Sequence, residues 1–150
     1  MMDDIQDYTN RIGMSMWRTH RKMSSEVMEH KQLGLTGPQF YLLNLIDEEG
    51  AAKVARLAER MDVKPSAATV MLDRLEQSGF IERQMDKQDR RAVIITLTEN
   101  GRHILDQTRQ ASREVFIRYL SVFTPQELET FASLFEKLEQ HTQASQEEDK

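Results

Sequence analysis

The sequence predicts a mainly helical chain carrying one small β-hairpin, an α+β fold. Three observations predict it. Apolar residues recur at three- and four-residue steps through most of the 150 residues. The period falls to two only once, between residues 80 and 97, around a charged hexapeptide. The elements run helix, helix, helix, helix, strand, strand, helix, helix. A central α-α-α-β-β unit, about 36–102, is therefore flanked by long helices, about 4–32 and 99–141.

In the first helix, 4–32, Ile5, Tyr8, Ile12, Met16, Met23 and Val27 share a stripe, interrupted by a polar stretch at Thr19–Lys22. Gly34 marks its end. Thr36-Gly37-Pro38-Gln39 opens the second: a cap, a proline in the first turn, and glutamine three residues on. Phe40, Leu43 and Ile46 follow, and Gly50 stops the helix. Val54, Leu57, Ala58 and Met61 form a third helix of about two turns. Asp62-Val63-Lys64 is a turn. Pro65 starts a fourth helix that runs to about Ser78, with Ala68, Met71 or Leu72, and Leu75 inward. Gly79 ends it. Phe80–Met85 and Ala92–Leu97 are strands, the second rich in β-branched residues. Asp86–Arg91 is the polar tip between them. Thr98 caps a helix from about 99 to 122, striped by Leu105, Thr108, Ser112, Val115, Tyr119 and Val122. Thr124-Pro125-Gln126-Glu127 is a capping box, followed by Leu128, Phe131, Leu134 or Phe135, and Leu138. The acidic residues 142–150 are expected to fray.

Composition excludes several classes. With 39% hydrophobic and 30% charged residues, the chain reads as soluble and globular, and a cytoplasmic location is expected. No apolar run approaches the roughly 18 residues of a membrane span. The acidic start, Met1–Ile5, has no apolar stretch after it and is not expected to act as a signal peptide. Cysteine is absent, which removes thiol redox sensing, thiolate metal sites and a cysteine nucleophile. His20, His30, His103 and His141 show no metal-binding spacing. Ser24, Ser25, Ser66 and Ser112 lack a nucleophile elbow, and there is no glycine-rich phosphate loop. The chain is therefore expected to be no enzyme and to need no cofactor or metal.

The net charge of −5 argues at first against nucleic acid. Its distribution reverses the argument. Residues 64–102 hold seven bases and six acids, whereas 124–150 hold two bases and seven acids. Phosphate attraction is screened beyond about 8–10 Å, so the local balance decides.

Two helices joined by a tight turn, followed directly by a charged hairpin, form a winged helix-turn-helix pattern. A major groove about 12 Å wide admits one helix if its outward side chains are short. On helix 64–78 the outward set is Ser66, Ala67, Thr69, Val70, Asp73 and Arg74. Ser66 and Thr69 can hydrogen-bond to base edges, and Ala67 and Val70 can touch thymine methyls. Lys64 and Arg74 reach the backbone from either end of the helix, and Pro65 sets its start. In the hairpin, Arg91 suits a narrow minor groove, Arg90 a phosphate, and Asp89 a brace on the Arg91 guanidinium. Lys87 is as well suited to plain surface as to a phosphate, and Arg83 is expected only to flank the wing.

These residues resemble the MarR family of bacterial regulators. The likeness lies in Leu57-Ala58-Glu59-Arg60-Met61, Pro65-Ser66-Ala67-Ala68-Thr69-Val70, Asp73-Arg74-Leu75-Glu76, Gly79-Phe80-Ile81, and Asp86–Arg91 running into Val93–Gly101. It covers element order over about 5–140. The resemblance implies sequence-specific binding of double-stranded DNA, most often as a repressor. It implies a homodimer held by its terminal helices on a near-palindromic operator, with half-sites about 34–36 Å apart. It also implies release by a small aromatic or phenolic ligand bound between the dimer helices and the reading head; Met16, Trp17, Phe40, Tyr41 and Phe116 are candidates to line that pocket. The sequence lacks the first-helix cysteine of the peroxide-sensing branch. Ala67, Ala68 and Val70 make its reading helix more apolar than many. A His/carboxylate site such as His30 with Glu29 stays open only through this likeness.

Blander readings stand beside these. Small residues on helix 64–78 also suit a solvent face, and Arg90 and Arg91 an ordinary polar turn. The aromatic and methionine candidates also suit a core. The alternatives are a winged-helix module that binds a protein partner, which an acidic or hydrophobic reading helix would mark, and a regulator without a ligand.

Overall fold

The structure, a computed structural model, describes residues 2–29 and 34–148. Among them the chain forms α1 (Met2–Glu29), α2 (Gly37–Glu49), β1 (Ala52–Lys53), α3 (Val54–Met61), α4 (Pro65–Gln77), β2 (Ile81–Met85), β3 (Val93–Leu97), α5 (Glu99–Leu120) and α6 (Pro125–Glu148). His30 and the last residues expected for the first helix lie outside the described residues. No described helix is long and apolar enough to cross a membrane. The chain divides into two compact units, residues 1–113 and 114–150.

The first unit is built on Leu42, Leu43, Leu45, Ile46, Leu57, Leu72, Leu75, Ile81, Ile95 and Leu105, all buried. Each such side chain contributes about 1.5–3 kcal/mol by leaving water. The local signals act as expected. Thr36 accepts from the Gln39 N–H while the Gln39 side chain accepts from the Thr36 N–H, closing the capping box at α2. Gly50 and Gly79 follow α2 and α4 with φ of 73° and 76°, a region that disfavours any residue with a Cβ. Asp62, between α3 and α4, takes a left-handed φ of 54°, which short polar side chains tolerate.

The sheet differs from expectation. The sequence predicts a two-stranded hairpin; the structure has three strands in the order β1-β3-β2. β2 and β3 pair antiparallel from Ile81 opposite Leu97 to Met85 opposite Val93. β1 adds to the other edge of β3, with Ala52 opposite Ile95. Two residues are too few to show a period, so β1 leaves no mark in the sequence. It makes β3 the central strand.

Hydrogen bonds and ion pairs hold the first half of α5 to the end of α4 and to α2. Thr98 receives the Gly101 N–H on its hydroxyl oxygen, as a cap does, and donates the same hydroxyl to the Gly79 carbonyl. Its own N–H donates to the Phe80 carbonyl. The start of α5 therefore lies against the end of α4. There a Cβ on Gly101 would come within 1.8 Å of the Phe80 carbonyl oxygen. Further along, Asp47 of α2 receives Arg102 at 3.2 Å and Arg109 at 2.8 Å from α5, and Arg109 also donates to Asn44 at 2.9 Å.

In the second unit, Phe123 stacks on Phe131 at 5.5 Å, and Phe131 meets Phe135 at 4.9 Å. The Thr124–Glu127 capping box starts α6. The helix runs to Glu148, beyond the expected end near 141 and through most of the segment expected to fray. That stretch, His-Thr-Gln-Ala-Ser-Gln-Glu-Glu, holds no proline or glycine to stop a helix already under way.

Candidate nucleic-acid interface

α3, the turn at 62–64 and α4 form a helix-turn-helix. The inward side of α4 is Ala68, Leu72 and Leu75, all buried. The 3.6-residue period then turns Ser66, Ala67, Thr69, Val70, Asp73 and Arg74 outward, and all six are exposed. Val70, at 52%, is unusually open for a branched apolar side chain. Lys64 sits at the cap position with extended backbone and makes no side-chain cap, and Pro65 occupies the first turn. The Thr69 hydroxyl donates to the Pro65 carbonyl at 2.9 Å, which leaves its oxygen lone pairs as acceptors.

The tip of the β2–β3 ribbon is held by its aspartates. Asp86 accepts from the Gln88 N–H at 3.0 Å, and Asp89 from the Arg91 N–H at 3.1 Å. The Ala92 N–H closes on the Asp89 carbonyl at 2.9 Å. This corrects one expectation: Asp89 braces the main chain of Arg91, not its guanidinium. A carboxylate two residues ahead of an amide is already in reach of it, and an Asx turn forms. Lys87, Arg90 and Arg91 all stand exposed at the tip.

The basic side chains around this surface fall into two sets. Arg56 is tied to Glu49 and Glu59, and Arg60 to Glu48 at 2.7 Å and Glu49 at 3.1 Å. The hydrogen bond to Glu48 is the main influence raising the Arg60 pKa. Arg83 of β2 bridges Asp73 at 2.6 Å and Glu76, both on α4. Burial works against its charge, but the hydrogen bonds and negative charges of the two carboxylates together raise its pKa. The sequence gives Arg83 no such role, because the acids and the strand meet only after the turn at Gly79. Lys64, Arg74, Lys87, Arg90 and Arg91, by contrast, have no carboxylate partner among the described residues.

The candidates for a ligand pocket lie on three helices. Met16 and Trp17 are on α1, Phe40 and Tyr41 on α2, and Phe116 on α5. Phe40 packs against the core. Tyr41 is half exposed, with its hydroxyl donating to the Arg60 carbonyl at 3.4 Å. Met16, Trp17 and Phe116 are exposed. A shallow cavity lies elsewhere, between Gly79, Thr98, Glu99, Asn100 and His103. Among the described residues no three His, Asp or Glu side chains gather as a metal site would require.

A helix-turn-helix followed by a β-ribbon defines a winged-helix protein, and comparisons with known proteins narrow the class. The model of the MarR family matches residues 35–93. The HTH-type transcriptional repressor MdtR of Bacillus subtilis is 35% identical over 93% of this chain and 86% of its own length. A crystal structure of a MepR-like protein complexed with pseudoligands is 43% identical, with a TM-score of 0.58 over 91% of this chain and 92% of that one. A mutant MarR from E. coli, crystallised with operator DNA, is 25% identical, with a TM-score of 0.71 over 92% and 97%. Fold and likeness together define a DNA-binding transcription regulator. The chain belongs to the MarR family.

Proposed function

We propose that the chain is a homodimeric repressor of the cytoplasm, bound to a near-palindromic double-stranded operator and released by a small aromatic or phenolic ligand. The sorting of the cations carries this reading. Arg56, Arg60 and Arg83 are tied to carboxylates, while Arg74 on the outward side of α4 and Arg90 and Arg91 at the wing tip have none among the described residues. A free guanidinium can exchange its counterions for phosphates at no cost in broken ion pairs. On this reading Ser66, Ala67, Thr69 and Val70 meet base edges, Lys64, Pro65 and Arg74 seat α4 against the backbone, Arg91 enters the minor groove, and Arg90 and Lys87 hold phosphates. Asp89 fixes the tip.

Two further observations support the finer parts. Ile5, Tyr8 and Ile12 leave the N-terminal half of the α1 stripe uncovered, while Met23 and Val27 at its other end are buried. Phe131, Leu134, Phe135 and Leu138 leave α6 equally open. Apolar rows of this length favour a second copy as cover. The named repressor and the structure with pseudoligands support repression and a ligand, with Met16, Trp17, Phe40, Tyr41 and Phe116 as its lining.

Selection from random duplex DNA tests the proposal. The expected product is an inverted repeat with half-sites about one helical turn apart; recovery of no consensus would overturn it. Simple phenols titrated onto that complex should release the DNA and change the fluorescence of Trp17, the single tryptophan.

A further inference from the structure

Arg83 joins the two parts of the proposed reading head. Its position on β2 faces the same side of the sheet as buried Ile81, since residues two apart share a face. Its side chain is about three-quarters covered, and the guanidinium reaches across to Asp73 and Glu76, one turn apart on the exposed side of α4. Each nitrogen holds a different carboxylate. Such a fork fixes direction as well as distance, which a lysine cannot do. The other polar links between α4 and the ribbon, Phe80 N–H to the Leu75 carbonyl and the Thr98 hydroxyl to the Gly79 carbonyl, lie at the root of the ribbon around Gly79.

We infer that Arg83 is a positioning residue for DNA recognition: it sets the angle between α4 and the wing, so that helix and ribbon engage one duplex together. The inference rests on the proposed roles of α4 and Arg91. It explains why two carboxylates lie on a helix surface that is to face phosphates. They anchor the bridge, and Arg83 offsets part of their charge. Both prongs then share one orientation, and each improves the placement of the other.

The test compares cutting the bridge from either side. Arg83→Ala removes a positive charge, and the double variant Asp73→Asn with Glu76→Gln removes two negative ones. Binding is measured on the duplex recovered by selection and on a random duplex, with the full-length chain. Plain electrostatics predicts opposite changes in the two variants, equal on both duplexes. Positioning predicts that both variants lose selectivity for the recovered duplex, by about tenfold. It also predicts that Arg91→Ala costs less in the Arg83→Ala background than in the wild type, because coupled residues are non-additive. Arg83→Lys keeps the stem and the charge and should recover only part of the loss. Circular dichroism and thermal melting identify any variant that has failed to fold; the acid-side variant leaves the strand untouched. Opposite-sign, unselective changes, or strict additivity with Arg91→Ala, would overturn the inference. If Arg91→Ala itself binds both duplexes normally, the proposed interface fails instead.

Discussion

Asp89 and Arg91 show how side-chain chemistry divides labour at the wing tip. The aspartate spends an oxygen on the Arg91 N–H, which stiffens the turn, and the guanidinium has no carboxylate partner among the described residues. Arg91→Ala should therefore weaken binding to every duplex by a similar factor and lower the slope of log affinity against log salt by about one. A salt titration checks this; an unchanged slope would remove Arg91 from the interface. Val70→Ala should act differently, altering which sequences are recovered by selection while leaving random-duplex affinity close to wild type. The outward set on α4 was legible in the sequence because Pro65 fixes the start of the helix and the 3.6-residue period does the rest. The ion pairs were not. Arg83 lies seven and ten residues from its partners, and no local pattern tells whether a turn at Gly79 folds the strand back within reach. The use of Asp89 was misread for a related reason: spacing showed the two residues to be close, but not which donor the carboxylate would take.

Elements that carry their own stop and start signals were read almost to the residue. The Thr36–Gln39 and Thr124–Glu127 boxes, Pro65, and the glycines at 50 and 79 act within one turn of chain. β1 escaped because its only reason to exist is the open edge of β3. The end of α6 was misplaced because a polar, acidic composition disfavours burial without breaking a helix. At this scale Gly101 makes the sharpest prediction. It lies inside α5, where glycine ordinarily costs about 1 kcal/mol against alanine. Here the sign inverts, since a methyl would strike the Phe80 carbonyl. Gly101→Ala should destabilise the fold by about 1–3 kcal/mol or more, measured as a lower urea midpoint at an unchanged m value. A stabilised variant would mean that α5 can move off the end of α4 freely.

For the whole molecule, the proposed dimer would tie stability to the uncovered rows on α1 and α6. A homodimer held by them should melt at a temperature that rises with protein concentration. Leu138→Glu, at a position 46% exposed, should shift sedimentation toward the monomer while leaving helix content nearly unchanged. A wild-type chain that sediments as a monomer at all concentrations would refute the dimer and, with it, the paired half-sites. The sequence pointed to the proposed assembly only indirectly, through the apolar stripes of its long helices. What a ligand would do to such a molecule depends on Thr98. One hydroxyl pins the root of α5 to the last carbonyl beyond the reading helix. On the proposed reading, a shift at the start of α5 is passed to Gly79 through this hydroxyl. Serine at 98 would keep the pin in place; valine would withdraw it and loosen that link.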